Sequence, residues 1–418
     1  MHFVCSAFGS SGDVFPVLGL ALELRARGHG ITFVASRHFE PIIKQYGLSF
    51  EGLGSAEDYQ AAISNPDLWE PRKAFPHVFR SLQPGLRRQY EIQAELAALG
   101  PVVGLTNCFG LGALLAQEKL GIPVITLHLQ PAVLWSDYDP PALPGLFGPR
   151  WLKGLLYRLA ERLVLDPVVL PTLNPWRKEL GLPPIKRIAK WWHSPFGVLC
   201  MFPDWFARPQ VDWPLNLMQT DFPLWNHQSQ EPLAANVESF LRAGSAPIVF
   251  TPGTANLHGQ RFFEAALQTC QTLRRRGIFL TPFQEQVPAK LPDSIAHFSY
   301  VPLDLLLPRS AAFVHHGGIG SMSQAMLAGI PQVLMPLAHD QFDNGARVFK
   351  LGVGGFIPAP RFTGQRLTVA LSPLLTSAAV AQSCRELAQR LTSRNGLQKS
   401  ADAILKRVVS QHKGERGG

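Results

Sequence analysis

Apolar residues in this chain come in short runs separated by glycine-rich breaks and helical stretches. His2 to Ala7 is a compact apolar run that predicts a strand buried on both faces. It breaks at Gly9-Ser10-Ser11-Gly12-Asp13. From Val14 to Arg27 the apolar positions Val17, Leu18, Leu20, Ala21 and Leu24 then follow a helical period. Gly28 closes that helix, and Ile31 to Ala35 predicts the next strand. Val102 to Thr106 and Val124 to His128 read as further strands around a helix from Leu111 to Leu120, and Gly197 to Phe202 as another strand. The same alternation restarts at Pro247 to Thr251. It continues through a helix from about Gln260 to Arg275 and strands at Ile278 to Thr281, His297 to Val301, Ala312 to His315 and Ile330 to Met335. Thr363 to Val409 carries the pattern of two amphipathic helices, with Pro373, Asn395 and Gly396 as breaks, and Lys413 to Gly418 reads as a frayed tail. Two doubly wound α/β series in tandem are the expected architecture. The predicted boundaries are residues 1–225, 226–395 and a terminal helix and tail at 396–418, with the Pro- and Trp-rich stretch Trp205 to Gln230 as the connection.

Within this pattern one stretch carries the densest chemistry. His315-His316-Gly317-Gly318-Ile319-Gly320-Ser321 joins a buried strand to a helix. Free N–H groups at a helix start, with the positive end of its dipole, form a site for phosphate, and His316 can add a donor. A turn whose glycines serve packing alone is the competing reading. Thr254, just after the first strand of the second series, offers a hydroxyl and an N–H towards the same strand ends. After the strand ending at Met335-Pro336, polar side chains crowd His339-Asp340-Gln341-Phe342-Asp343-Asn344. Asp340 and Gln341 supply the acceptors and donors that a sugar ring requires, with capping of the following helix, expected to start near Asn344, as the alternative.

In the first series Asp13 lies in the loop after the first strand, where doubly wound sheets bind ligands. A carboxylate there can act as general base towards a hydroxyl, or can simply cap the helix. His29 and His38 are other candidate bases, although His29 follows Gly28 at the far end of the sheet. Trp69, Phe75, Phe79, Trp135, Tyr138, Phe147 and Trp151 punctuate a less regular stretch, where aromatic residues serve either an apolar pocket or the core.

Composition narrows the function classes. With 418 residues, 46% hydrophobic and 17% charged, the chain has ample material for two cores. Its formal charge of +9 suits an anionic ligand, a membrane surface or nucleic acid. Yet the longest basic run, Arg274-Arg275-Arg276, sits at a helix end and no nucleic-acid motif accompanies it, so no nucleic-acid partner is expected. Five widely spaced cysteines predict free buried thiols in a reducing compartment and offer no metal-ligand spacing. Met1 runs straight into a strand, and no apolar run approaches the ~20 residues that span a bilayer. The expectation is a cytoplasmic protein, soluble or peripheral on the inner face of the membrane.

The turn from His316 to Ser321, the Gly329-Ile330-Pro331 step, Asp340-Gln341 and the Gly9 to Pro16 segment resemble the signatures of family 1 nucleotide-sugar-dependent glycosyltransferases of the two-Rossmann-domain GT-B fold. The likeness covers nearly the whole chain. Trp192-His193-Ser194-Pro195, Phe202 to Ala207 and Ala338 to Asn344 are most similar to the bacterial rhamnolipid-forming rhamnosyltransferases of that family.

The resemblance implies two Rossmann-like domains facing across a cleft and inverting transfer of a hexose. That hexose would be L-rhamnose from dTDP-L-rhamnose, moved to a lipidic 3-(3-hydroxyalkanoyloxy)alkanoic acid. An acyltransferase that supplies the acceptor is an implied partner. Asp13 falls at the catalytic base, where many plant members carry a histidine. His316, Gly318, Gly320, Ser321 and Thr254 fall at the diphosphate, Val301 and Gln324 at the nucleoside, and Asp340 and Gln341 at the sugar. Gln324 replaces a ribose-binding glutamate of plant members. No metal or other cofactor is implied beyond the nucleotide-sugar co-substrate, since the turn and His316 can supply positive potential. A UDP-glucose-dependent glucosyltransferase, a sugar-nucleotide epimerase and a non-catalytic nucleotide-binding partner subunit are the competing readings.

Overall fold

The run Phe3-Val4-Cys5 is wholly buried in the middle of a parallel sheet, as its apolar pattern requires. In this computed structural model, residues 1–143, 149–225, 232–253, 256–257, 259–392 and 395–414 are described. They divide into two units, Met1–Trp225 with Asn395–Gly418, and Asn226–Arg394.

The first unit holds β1 (His2–Ser6), β2 (Gly30–Ser36), β3 (Ser49–Leu53), β4 (Val102–Thr106), β5 (Val124–His128), β6 (Gly197–Cys200) and β7 (Leu217–Gln219). All pair in parallel in the order β3-β2-β1-β4-β5-β6-β7. Strand order reverses between β1 and β4, and ligands of such sheets bind outside the carboxyl ends at that reversal. Val4 and Val34 pack with Ile92 and Ala116 on one face of the sheet. The C-terminal helix Gly396–Gly414 lies against the first helix, Ser11–Ala26. Arg27 pairs with Asp402, Thr220 Oγ1 meets Ser400 Oγ at 2.9 Å, and Lys399 reaches the buried Asp221 at 3.0 Å. The terminal helix is thereby part of the first unit.

The second unit holds β8 (Ile248–Thr251), β9 (Gly277–Leu280), β10 (Ile295–Phe298), β11 (Ala312–His315), β12 (Gln332–Leu334) and β13 (Gly354–Phe356), in the order β10-β9-β8-β11-β12-β13. Here the reversal falls between β8 and β11, whose last residues Thr251 and His315 stand side by side. Phe250, Phe262, Phe263 and Phe279 interlock edge-to-face and tilted at centroid distances of 4.9–6.5 Å beneath this sheet.

Several expectations need correction. The stretch from Thr363 to Val409 forms three helices rather than two, Gly364–Thr376, Ala378–Thr392 and Gly396–Gly414. Pro373 lies inside the first, and the break falls at Ser377. The irregular reading beyond β2 misses β3 and the helices Ala56–Ser64, Ala74–Leu82 and Gly85–Leu99. The helix expected near Asn344 starts at Gln341. The five cysteines are buried and unpaired. Arg276 sits 4.1 Å over the Phe240 ring and bonds backbone oxygens, a structural use of the basic run. Among the described residues no single helix is long and apolar enough to cross a membrane.

Candidate active site

In the first unit the loop after β1 delivers Asp13 into the opening turn of the helix Ser11–Ala26. Ser10 is the cap: its Oγ accepts from Gly12 N at 3.3 Å, while Ser10 N donates to Asp13 Oδ2 at 2.9 Å and Ser10 Oγ to the same oxygen at 3.3 Å. Asp13 is therefore not the N-cap itself but its capping-box partner, at the third helical position. Only Oδ2 is engaged by these bonds, which leaves Oδ1 for a further partner. Gly9, at φ +127°, is obligatory, because a β-carbon there would strike Oδ2. Burial pushes the Asp13 carboxyl up to about 6, against the two Ser10 hydrogen bonds that favour its ionised form.

Aromatic rings build up beside this carboxyl. Tyr59, whose hydroxyl is raised by burial and by the Asp13 charge, stacks on His38 at 4.3 Å and meets the edge of Phe39 at 5.2 Å. Phe39 in turn meets Phe15 at 6.4 Å. The same charge contributes to lifting the Cys108 thiol, after β4, to about 12, behind the larger effect of burial. His38 stacks on the Tyr59 ring, its pKa lowered by burial, and His29 packs on Phe3 at 5.4 Å. Among the other aromatics singled out, Phe79 is core, whereas Trp151 and Tyr138 are exposed. Phe147 lies outside the described residues.

In the second unit β11 ends at His315, whose ring is fixed by Gln332 Oε1 at 2.9 Å on Nε2 and by Gly317 N, which donates to Nδ1 at 3.1 Å. These bonds define a neutral imidazole with its proton on Nε2, and burial holds its pKa down to about 3. The next ring, His316, is gripped by two glycines. A β-carbon on Gly253 would stand 2.9 Å from Cε1 and Nδ1, and one on Gly318 would stand 2.7 Å from Nε2. Gly318 also caps the helix Ile319–Leu327, so Gly320 and Ser321 occupy its first turn with N–H groups unspent by helix bonds. His316 Nδ1 is buried and makes no hydrogen bond among the described residues. Burial, then the neighbouring His339, lowers its pKa to about 4. At neutral pH the resting ring is an uncharged hydrogen-bonding group.

Asn344 ties this turn to the polar cluster. Its Nδ2 donates to Gly317 O at 2.9 Å and to Asp340 Oδ2 at 2.7 Å, and its buried Oδ1 has no partner among the described residues. Gln341 Oε1 accepts from Leu337 N at 2.7 Å and Ala338 N at 3.3 Å. The capping alternative therefore claims the Gln341 carbonyl oxygen and leaves its amide nitrogen for a ligand. His339 adopts φ +58°, a strained conformation for a side-chain-bearing residue, where functional sites concentrate strain.

Val301 is buried in a cluster with Leu280, against which Phe298 packs. Gln324 is largely buried on the helix Ile319–Leu327. Thr254 lies outside the described residues. The second unit thus brings together His316, Gly318, Gly320, Ser321, Asp340 and Gln341, with Gly253 and Asn344 as supports that sequence reasoning did not single out. Among the described residues no group of three or more His, Cys, Asp or Glu is placed to hold a metal ion.

The chain is similar to known proteins over nearly its whole length. The profile of the glycosyltransferase family 28 N-terminal domain matches residues 3–131, and that of the erythromycin biosynthesis protein CIII-like C-terminal domain matches residues 278–406. O-mycaminosyltylonolide 6-deoxyallosyltransferase of Streptomyces fradiae is 25% identical over 424 residues, covering 97% of each chain. A sterol 3-beta-glucosyltransferase of Arabidopsis thaliana is 24% identical over 95% of this chain and 66% of its own. The spinosyn rhamnosyltransferase SpnG, solved with thymidine diphosphate, superposes with a TM-score of 0.69 at 18% identity, covering 98% of this chain and all of that one.

Fold and relatives together define the chain as a nucleotide-sugar-dependent glycosyltransferase with the GT-B fold. Within that class its similarity is to the family 1/28 group, through these two domain profiles.

Proposed function

We propose that the chain is an inverting rhamnosyltransferase, moving L-rhamnose from dTDP-L-rhamnose to the hydroxyl of a lipidic acceptor such as a 3-(3-hydroxyalkanoyloxy)alkanoic acid. The observation that carries the reading is the Asp13 carboxyl, held at about 6 beside the rings of Tyr59 and Phe39. Such a group is ionised at neutral pH yet basic enough to take a proton, and its apolar surroundings suit an acceptor with hydrocarbon chains. Asp13 removes the hydroxyl proton, the hydroxyl oxygen bonds to the anomeric carbon with inversion, and the bond from that carbon to the diphosphate oxygen breaks. The leaving diphosphate gathers charge, which the first-turn N–H groups of Gly320 and Ser321 and the His316 ring meet in place. Asp340 and the Gln341 amide hold the sugar hydroxyls, Val301 offers its backbone to the base, and Gln324 serves the deoxyribose.

A thymidine nucleotide is supported by SpnG, a spinosyn rhamnosyltransferase solved in complex with thymidine diphosphate. The similarity to a sterol glucosyltransferase supports an apolar acceptor, and equally a second reading with UDP-glucose as donor. Incubation with a panel of dTDP- and UDP-sugars and hydroxy-fatty-acid or sterol acceptors, with products weighed by mass spectrometry, decides between them. Formation of a deoxyhexosyl lipid from dTDP-L-rhamnose alone supports the proposal. A hexosyl product from UDP-glucose alone selects the second reading. Free epimerised sugar nucleotide without glycoside, or no product at all, overturns both.

A further inference from the structure

One helix of the first unit buries the face opposite to the one its sequence makes most apolar. The segment Arg150–Ala160, continued by a wider turn through Leu165, turns Gly154, Tyr157, Glu161 and Leu165 inward. Tyr157 anchors it by stacking on Trp135 at 3.8 Å and donating to Ala132 O at 2.7 Å, and the buried Glu161 is paired with Arg187. Trp151, Leu155, Leu159 and Leu163, four residues apart, form a stripe on the outside and are 42–72% exposed. A contiguous row of large apolar side chains in water is unfavourable, and soluble surfaces that keep one use it for contact.

The charge along the segment identifies the contact. Arg150, Lys153, Arg158 and Arg162 fall within it, and its acid, Glu161, is buried and neutralised internally. Arg162 is exposed and makes no ion pair among the described residues, while Arg158 pairs with Asp137 at 2.7 Å. A second copy of this face would set its arginines against themselves, with no acidic residue on the stripe to receive them. An anionic phospholipid surface offers what both halves of the pattern need, hydrocarbon for the stripe and phosphate for the guanidinium groups. Tryptophan beside leucines and a basic flank is the composition of helices that lie in the plane of such an interface.

We propose that the helix Arg150–Ala160 and its continuation to Leu165 dock this enzyme on anionic membranes, with the Trp151-Leu155-Leu159-Leu163 stripe inserted and Arg162 on the headgroups. This docking goes beyond the proposed donor and acceptor and does not depend on either.

The test uses the full chain and vesicles of phosphatidylcholine alone or with an equal share of phosphatidylglycerol. Wild-type protein should co-sediment about tenfold more tightly with the anionic vesicles, and high salt should release it. The doubly substituted Leu155→Gln, Leu159→Gln variant should lose about tenfold or more in that affinity, and Arg162→Gln about fivefold. Thermal melting, unchanged in both variants, shows that the fold is kept. Brominated lipid should quench wild-type fluorescence more than that of Trp151→Phe, a reading that leaves the leucines intact. Absence of anionic vesicle binding by wild type, equal binding by the leucine variant, or equal quenching in the two proteins overturns the proposal. So does a wild-type dimer that the leucine variant converts to monomer without any vesicle binding.

Discussion

The imidazole Nε2 of His316 lies 2.7 Å from the point where a β-carbon on Gly318 would stand, and its Nδ1 and Cε1 lie 2.9 Å from the corresponding point on Gly253. The ring occupies a slot that only glycine on both sides leaves open. Gly318→Ala is therefore expected to push His316 out of place while the helix start survives, since alanine has an acceptable capping conformation there. Donor KM should rise by about tenfold or more, with a Tm change of a few degrees at most. Steady-state kinetics with a saturating acceptor and a melting curve check both.

His316 itself is neutral at rest, with a pKa near 4 imposed by burial and by His339. A bound diphosphate brings two negative charges to the same turn and favours the protonated ring, so its pKa rises on binding. Between the free and bound values the complex takes up a proton. Affinity should then strengthen as pH falls from 7 towards 5. Titration calorimetry in two buffers of different ionisation enthalpy should show proton uptake in the wild type and less in His316→Ala, whose affinity should fall about tenfold or more.

Burial of neutral histidines also shapes stability. His193 and His316 near 4 and His315 near 3 are depressed from their unfolded value of 6.5. Their contribution is present above 6.5 and is lost as pH falls through the folded values, because unfolding then gains protons. Asp13 has the opposite sign: raised from 3.8 to about 6, it favours the fold below its unfolded value and loses that contribution as pH rises through about 6. Three histidines outweigh one carboxyl, so Tm should drop steadily between pH 6.5 and 4. Calorimetry across that range checks the slope, and Asp13→Asn should be at least as stable as wild type at pH 7.

Asn344 links Gly317 O to Asp340 Oδ2, two groups that belong to different loops of the donor side. Asn344→Ala leaves the buried Gly317 carbonyl without this donor, at a cost of ~1–3 kcal/mol, and removes the Nδ2 bond to Asp340. A lower Tm with raised donor KM is expected. Asn344→Asp, which replaces the donating amide by a carboxylate beside Asp340, should be worse than alanine.

Much of this arrangement is legible in the chain. The turn at His316, the cluster at Asp340 and the loop at Asp13 are each read from local residue order, because glycine freedom and helix dipoles act over a few residues. The strand ends that carry them follow from buried apolar runs. What escapes has tertiary causes. β13 consists of Gly354, Gly355 and Phe356, too short and too small in side chain to show a period, and it exists because β12 offers an edge. Pro373 reads as a helix end, yet it sits in the last turn of its helix, which forgoes only the one bond to the Val369 carbonyl before ending at Thr376. The helix Ala56–Ser64 does carry a readable signal, the Ser55–Asp58 capping box, but it buries no residue fully and so lacks the apolar stripe that reveals helices. The Gly253–His316–Gly318 slot joins residues of two strands' loops and has no signature along the chain.

The central claim is that Asp13 is the base for the acceptor hydroxyl, and the pH profile of kcat/KM for the acceptor tests it most directly. The account predicts an acid limb that falls below about pH 6, where the Asp13 carboxyl protonates, and a loss of about 10²–10⁴-fold in Asp13→Asn with thymidine diphosphate affinity kept. A profile with no break near pH 6, together with Asp13→Asn turnover within about twofold of wild type, would contradict it.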